Sequence, residues 1–135
     1  SGVVCMTLHV HYFGNFHPEN AVTNKFLKEL DIGTDDQWIQ ERVGIASRRT
    51  VLPLEYIKAT KNSDVRAATE AAEYTTSDLG VKASELAIKR AGISLSDIGM
   101  VIGGSSAPNS VTPADAALVA KGLDRKSTRL NSSHW

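Results

Sequence analysis

The 135-residue chain has room for one domain, and 41% apolar with 22% charged residues is ordinary globular composition rather than that of a disordered or low-complexity chain. Fifteen basic residues balance fifteen acidic ones, which removes the bulk electrostatic case for nucleic acid or an anionic membrane. The single cysteine, Cys5, cannot build an intrachain disulfide framework or a multi-cysteine zinc site, so a reducing, cytoplasmic compartment is the default. No apolar run approaches the ~20 residues of a membrane span, and residues 1–13 lack the basic opening and long apolar centre of a secretory signal.

Taken in chain order, residues 3–13 are rich in β-branched and aromatic types. Leu8, Val10 and Tyr12 alternate with Thr7, His9 and His11, the pattern of a strand broken by Gly14 and Pro18. Val22, Phe26, Leu27 and Leu30 recur at helical spacing and predict a short amphipathic helix ending near Gly33. Thr34 with Gln37 three residues later forms a capping-box signature, and Asp35 and Asp36 suit the positive end of a helix dipole. A helix is therefore expected from about Asp35 to Val43, stopped by Gly44. The following stretch, with Arg48, Arg49 and Pro53, reads as a connection, and residues 63–75 as alanine-rich helix. Ser77 can cap a strong helix that carries Leu79, Ala83, Leu86, Ala87 and Ala91 on one face and stops at Gly92. Ile98–Gly103 is a short continuous apolar run, expected to be a strand buried on both faces. Thr112 as N-cap and Pro113 at the first helical position predict a last helix, Pro113–Lys121, ending at Gly122. Helix, buried strand, loop and helix in that order argue for an α/β domain over residues 1–123.

Residues 124–135 differ in kind. They have no helical or strand period and carry Arg125, Lys126 and Arg129 against Asp124. A disordered basic tail is one reading. The run DRKSTRLNSSH also resembles, in all its residues, the in-frame translation of a sequencing adapter, and is expected to be non-native.

Few residues advertise chemistry. Trp38 and Arg42 lie four apart and share a helix face, where an indole can stack on a base and a guanidinium can fork onto phosphate. Spacing alone favours an ordinary cation–π pair or a core tryptophan beside a surface arginine. His9 and His11 share one side of the first strand, but no convincing third metal ligand accompanies them. Cys5 sits in apolar sequence without an activating base and reads as inert. Gly103-Gly104-Ser105-Ser106 follows a strand as phosphate loops do, but lacks the lysine and the glycine spacing of such loops. It reads as backbone passing close to something. Arg48 and Arg49 read as a solvated dibasic loop.

Beyond composition and spacing, the sequence resembles a family. Pro18-Glu19, Val22-Thr23-Asn24 and Leu27, then Trp38-Ile39, Arg42-Val43-Gly44-Ile45 and Arg48 or Arg49, match the N-terminal pattern of β-ketoacyl-acyl-carrier-protein synthase III. The run from Ala87 through Ile98–Ile102 to Pro113 and Leu123 is similar to the family's next strand, loop and alanine-rich helix. The resemblance covers about residues 8–123, and W-I-x-x-R-x-G-I is its most specific part. It implies a thiolase-like layered α/β fold of which this chain holds part of the N-terminal half. It also implies decarboxylative condensation of an acyl-CoA primer with malonyl-acyl-carrier-protein in a homodimer, with CoA thioester as substrate and no tightly bound cofactor. By that resemblance Trp38 stacks on the CoA adenine, Arg42 holds its phosphate and Thr34 lies beside the nucleotide. Val43 stands where the family usually has threonine. Thr112 occupies the place from which a residue reaches across the dimer toward the acyl pocket. The family's catalytic cysteine, histidine and asparagine have no matching positions here, so the chain by itself is expected to be inactive. A CoA-using ketosynthase of secondary metabolism and a non-catalytic CoA- or nucleotide-binding module are the alternatives.

Overall fold

The computed structural model describes residues 2, 6–110 and 112–132, with side chains as far as Arg125. Cys5, assigned above as an inert thiol, lies outside the described residues. The chain divides into two compact units, one formed by His17–Thr76 and the other by residues 1–16 together with 77–135.

The central unit starts with a two-stranded antiparallel sheet, β1 (Asn20–Thr23) and β2 (Ser47–Thr50), with Val22 opposite Arg48 and Ala21 opposite Arg49. Val22 is thus in a strand rather than in the expected helix. The helix proper, α1 (Asn24–Glu29), begins two residues later because Thr23 caps it: the Thr23 hydroxyl accepts from the Phe26 N–H at 3.1 Å. The apolar set Val22, Phe26 and Leu30 still converges, forming this unit's core with Leu27, Leu54 and Ile57 packed against it.

Helix α2 (Asp36–Val43) matches expectation in span and stop. Gly44 supplies the left-handed cap at φ 68°, and its N–H reaches the carbonyls of Ile39 and Gln40. Its N-cap is Asp35 rather than Thr34. The Asp35 carboxylate accepts from the Trp38 N–H at 2.7 Å, while Gln37 turns forward to Glu41. Of two adjacent cap candidates, the ionised one also gains from the helix dipole. The stretch read as a connection holds β2 and a further helix, α3 (Leu54–Thr60), before α4 (Val65–Ala71). Asp64 caps α4 through bonds from Arg66 N and Ala67 N at 2.9 and 3.1 Å.

In the second unit, α5 (Thr76–Ala91) stops at Gly92, φ 65°, as expected, with Ser77 inside its first turn and buried rather than outside as a cap. A 3-10 turn, Leu95–Asp97, leads to the last helix, α6 (Asp115–Ser132). Neither Thr112 nor Pro113 starts α6. The Ala114 carbonyl accepts its first helical bond, from Leu118 N at 3.2 Å, and Asp115 accepts from the Asn109 N–H at 3.1 Å.

The helix does not end at Gly122 either. Its backbone continues helically through the segment expected to lack regular structure, as far as Ser132. Gly122 and Gly80 are glycines for the sake of packing. A Cβ on Gly122 would sit 2.6 Å from Val81 Cγ2, and one on Gly80 would sit 2.8 Å from Val119 Cγ2. Each helix presents a glycine to the other's valine, and Val81, Val119 and Leu123 form this unit's core with Ile88, Leu95 and Val101 against it.

Two expected strands are not formed. Residues 6–13 and the run 98–103 make no ladder; β1 and β2 form the only sheet among the described residues. A strand exists through its neighbours' hydrogen bonds, and neither segment has one beside it. Leu8 is 99% exposed and Ile102 87% exposed, whereas Val101 is tucked against the core.

Candidate functional site

Helix α2 is amphipathic in a simple way. Ile39 points inward and is buried, while Trp38 and Arg42 stand on the outer side, Trp38 being 49% exposed. The Arg42 guanidinium carbon lies 5.6 Å from the centre of the indole ring, within cation–π range. The pair read from spacing is therefore brought together, and the tryptophan is not a core residue. Half of the indole is open to solvent beside a forked cation, a surface that can receive a flat heterocycle and a phosphate. Thr34 precedes the helix with its hydroxyl buried and without a hydrogen-bond partner among the described residues. Val43 is exposed at the helix end.

The arginines read as a solvated loop have structural employment in β2. Arg49 Nη1 donates to the carbonyls of Pro18 and Glu19 at 3.2 and 3.1 Å. Arg48 Nη2 donates to the side-chain oxygen of Asn24 at 3.0 Å. Asn24 is the polar centre of this unit, only 3% exposed. Its signal in the sequence was the Thr23-Asn24 pair at a helix start, legible as a cap but not as a hub.

A second polar cluster lies elsewhere in the unit. The Tyr74 hydroxyl donates to both carboxylate oxygens of Glu19, at 2.9 and 3.0 Å, and this bond raises the phenol above its ordinary value of 10.0. Asn20 Nδ2 donates to Leu52 O and to Glu73 Oε2 at 3.1 and 3.0 Å. These contacts join the start of β1 to the segment between β2 and α3 and to the one after α4.

In the other unit Thr112 is exposed in the loop before α6. Gly103 lies where a Cβ would meet Ala116 at 3.2 Å, so this glycine serves a close approach to α6, whereas a Cβ on Gly104 would meet nothing within 4 Å. His9 is exposed and shares a hydrogen bond with Thr7 at 3.0 Å. Among the described residues no group of three or more histidine, cysteine or acidic side chains converges, and no helix is long and apolar enough to cross a membrane.

No family model matches the chain. It is 35% identical over 114 residues to β-ketoacyl-[acyl-carrier-protein] synthase III of Clostridium perfringens, a match covering 84% of this chain and 29% of that protein. The corresponding enzyme of Alkalilimnicola ehrlichii is 34% identical over 110 residues, and this chain covers 28% of it. Among solved structures, 3-oxoacyl-[acyl-carrier-protein] synthase III of Aquifex aeolicus superposes with a TM-score of 0.65 at 26% identity, over 86% of this chain and 31% of that one. The priming β-ketosynthase of the R1128 polyketide pathway gives 0.67 at 26% identity, over 86% and 29%. The chain thus spans under a third of the length of the relatives it matches.

Proposed function

We propose, from its likeness to β-ketoacyl-[acyl-carrier-protein] synthase III in sequence and thiolase-like fold over more than four-fifths of its length, that this chain is the CoA-recognising part of a condensing acyltransferase. The full-length protein would transfer the acyl group of a CoA thioester and join it to malonyl-acyl-carrier-protein with loss of carbon dioxide, starting a fatty-acid chain. CoA enters as a substrate and leaves as the free thiol. It is not a resident cofactor.

The observation that carries this reading is the half-open indole of Trp38 with Arg42 over its ring on an otherwise anchored helix. The adenine stacks on Trp38, Arg42 offers its fork to a phosphate, and the Thr34 hydroxyl lies at the start of the same helix. Thr112 serves the acyl pocket across a homodimer. Nucleophile, general base and enolate stabilisation come from residues outside this chain. Residues 124–135 take no part, being assigned to the adapter-like tail. The exposed segment 6–13 and the run 98–102, with Met100 and Ile102 exposed, find their strand neighbours in the remainder of the protein, which is cytoplasmic.

A second reading, a CoA-using ketosynthase of secondary metabolism, is favoured by the likeness to a priming β-ketosynthase of a polyketide pathway. Primer preference separates the two. Both share the nucleotide contact, which Trp38→Ala tests by titrating the full-length protein with coenzyme A in a calorimeter. Loss of base stacking should weaken binding by ~1–3 kcal/mol. A folded variant with unchanged affinity removes Trp38 from the site and the nucleotide reading with it. A non-catalytic CoA module would bind in the same way but form no condensation product.

A further inference from the structure

We propose that Asn24 is the positioning residue of the coenzyme A site: one buried amide that fixes both ends of α2 and so aims Trp38 and Arg42. This deepens the nucleotide reading above and rests on it. Asn24 Nδ2 donates to Asp36 Oδ1 at 2.7 Å, at the helix's first residue, and to the Ile45 carbonyl at 2.9 Å, just past its Gly44 cap. The Asn24 backbone N–H adds a bond to the Ala46 carbonyl at 3.3 Å, and Asn24 Oδ1 accepts from Arg48 at 3.0 Å.

The orientation of the amide follows from its partners. A carboxylate and a carbonyl only accept, and a guanidinium only donates, so the NH2 group must face Asp36 and Ile45 while the oxygen faces Arg48. Asparagine meets this demand at its size, and aspartate would set a carboxylate against Asp36. The eight residues of α2 have Ile39 as their single buried side chain. One apolar contact leaves a short helix free to slide or roll, whereas tethers at both termini remove those motions. The stacking face is then held in place before the ligand arrives. The bond runs from an almost wholly buried amide to a carboxylate on the exposed start of the helix.

The test titrates the full-length protein with coenzyme A by calorimetry, alongside circular dichroism to score folding. Asn24→Ala and Asp36→Ala should each weaken binding about tenfold through lost preorganisation. Asp36 is exposed, so its variant decides the matter if Asn24→Ala fails to fold. Asn24→Asp should bind as poorly as Asn24→Ala. Adding Asp36→Asn to it exchanges donor and acceptor across that contact but leaves the Ile45 carbonyl facing a carboxylate, so it should recover part of the lost affinity and not all of it. A general packing role for residue 24 predicts no such recovery. Folded Asp36→Ala that binds coenzyme A like the parent, or a double variant no better than Asn24→Asp, overturns the proposal while Trp38→Ala still loses binding. If Trp38→Ala itself binds like the parent, it is the nucleotide reading that fails.

Discussion

Gly122→Ala separates two accounts of the chain's last helix. As a left-handed stop, Gly122 would face no side chain, and alanine would suffer only backbone strain. As an interior residue, which is how the structure places it, alanine gains ~1 kcal/mol of helix propensity over glycine. Against that, its Cβ lies 2.6 Å from Val81 Cγ2 and 3.7 Å from Val81 Cβ and Cγ1. Carbon contacts settle near ~3.5–4.0 Å, so roughly an ångström must be found. Val81 cannot easily give it. The side chain is buried, packs with Val119 and Leu123, and is β-branched, with one strongly preferred helical rotamer. Overpacking of this kind costs ~1–3 kcal/mol, leaving a net destabilisation of about 1 kcal/mol. Urea unfolding of the single variants and of Gly122→Ala with Val81→Ala measures it. The new methyl group fills part of the space that Val81 vacates, so the double variant should be more stable than the sum of singles by ~1 kcal/mol or more. Additivity within ~0.5 kcal/mol, or a single variant more stable than the parent, would refute the close helix crossing.

Two further outcomes follow from local bonds. Asp35→Ala should cost ~1 kcal/mol, because it removes the cap on the Trp38 N–H. Thr34→Ala, which breaks no bond among the described residues, should leave α2 intact, and thermal unfolding of the pair distinguishes the two caps. Tyr74 holds its proton more tightly folded than unfolded because its hydroxyl donates to Glu19. The contribution is therefore complete below the ordinary value of 10.0 and is lost as pH rises above it through the higher folded value. Tyr74→Phe should flatten the fall of stability above that point. Equal alkaline slopes for variant and parent would show that the bond does not persist in solution.

What could be read from the sequence was whatever is encoded within a turn or two. Helix α2 announced itself through its acidic first turn and Gly44, and α5 through its apolar face and Gly92, all signals spanning a few residues. Helix α3 was missed although Pro53 and Glu55 mark its start, because the two arginines before it drew the whole stretch into a loop. Strands β1 and β2 are four residues each and pair across the whole of α1 and α2. Nothing local in Ser-Arg-Arg-Thr reveals that Arg48 turns to a buried amide and Arg49 to two carbonyls. The segments 6–13 and 98–103 show the reverse error. Their composition suits strands, but a strand needs a neighbour, and composition cannot say whether one lies beside it.

The candidate site divides along the same line. That Trp38 and Arg42 share a face of α2 follows from their spacing of four, while only the structure shows that this face is the outer one, with Ile39 buried. Where that face points is a different matter. Spacing cannot fix it, since Asn24, Asp36, Ile45 and Arg48 become neighbours only when β1 and β2 pair and bring the two ends of the intervening chain together. A nucleotide site needs both kinds of information, a short-range pattern that makes the surface and a long-range contact that aims it. The short-range part survives in any helix of that sequence. The long-range part requires the sheet, so variants that unpair β1 from β2 should cost affinity for the nucleotide while leaving the Trp38–Arg42 face itself chemically unchanged.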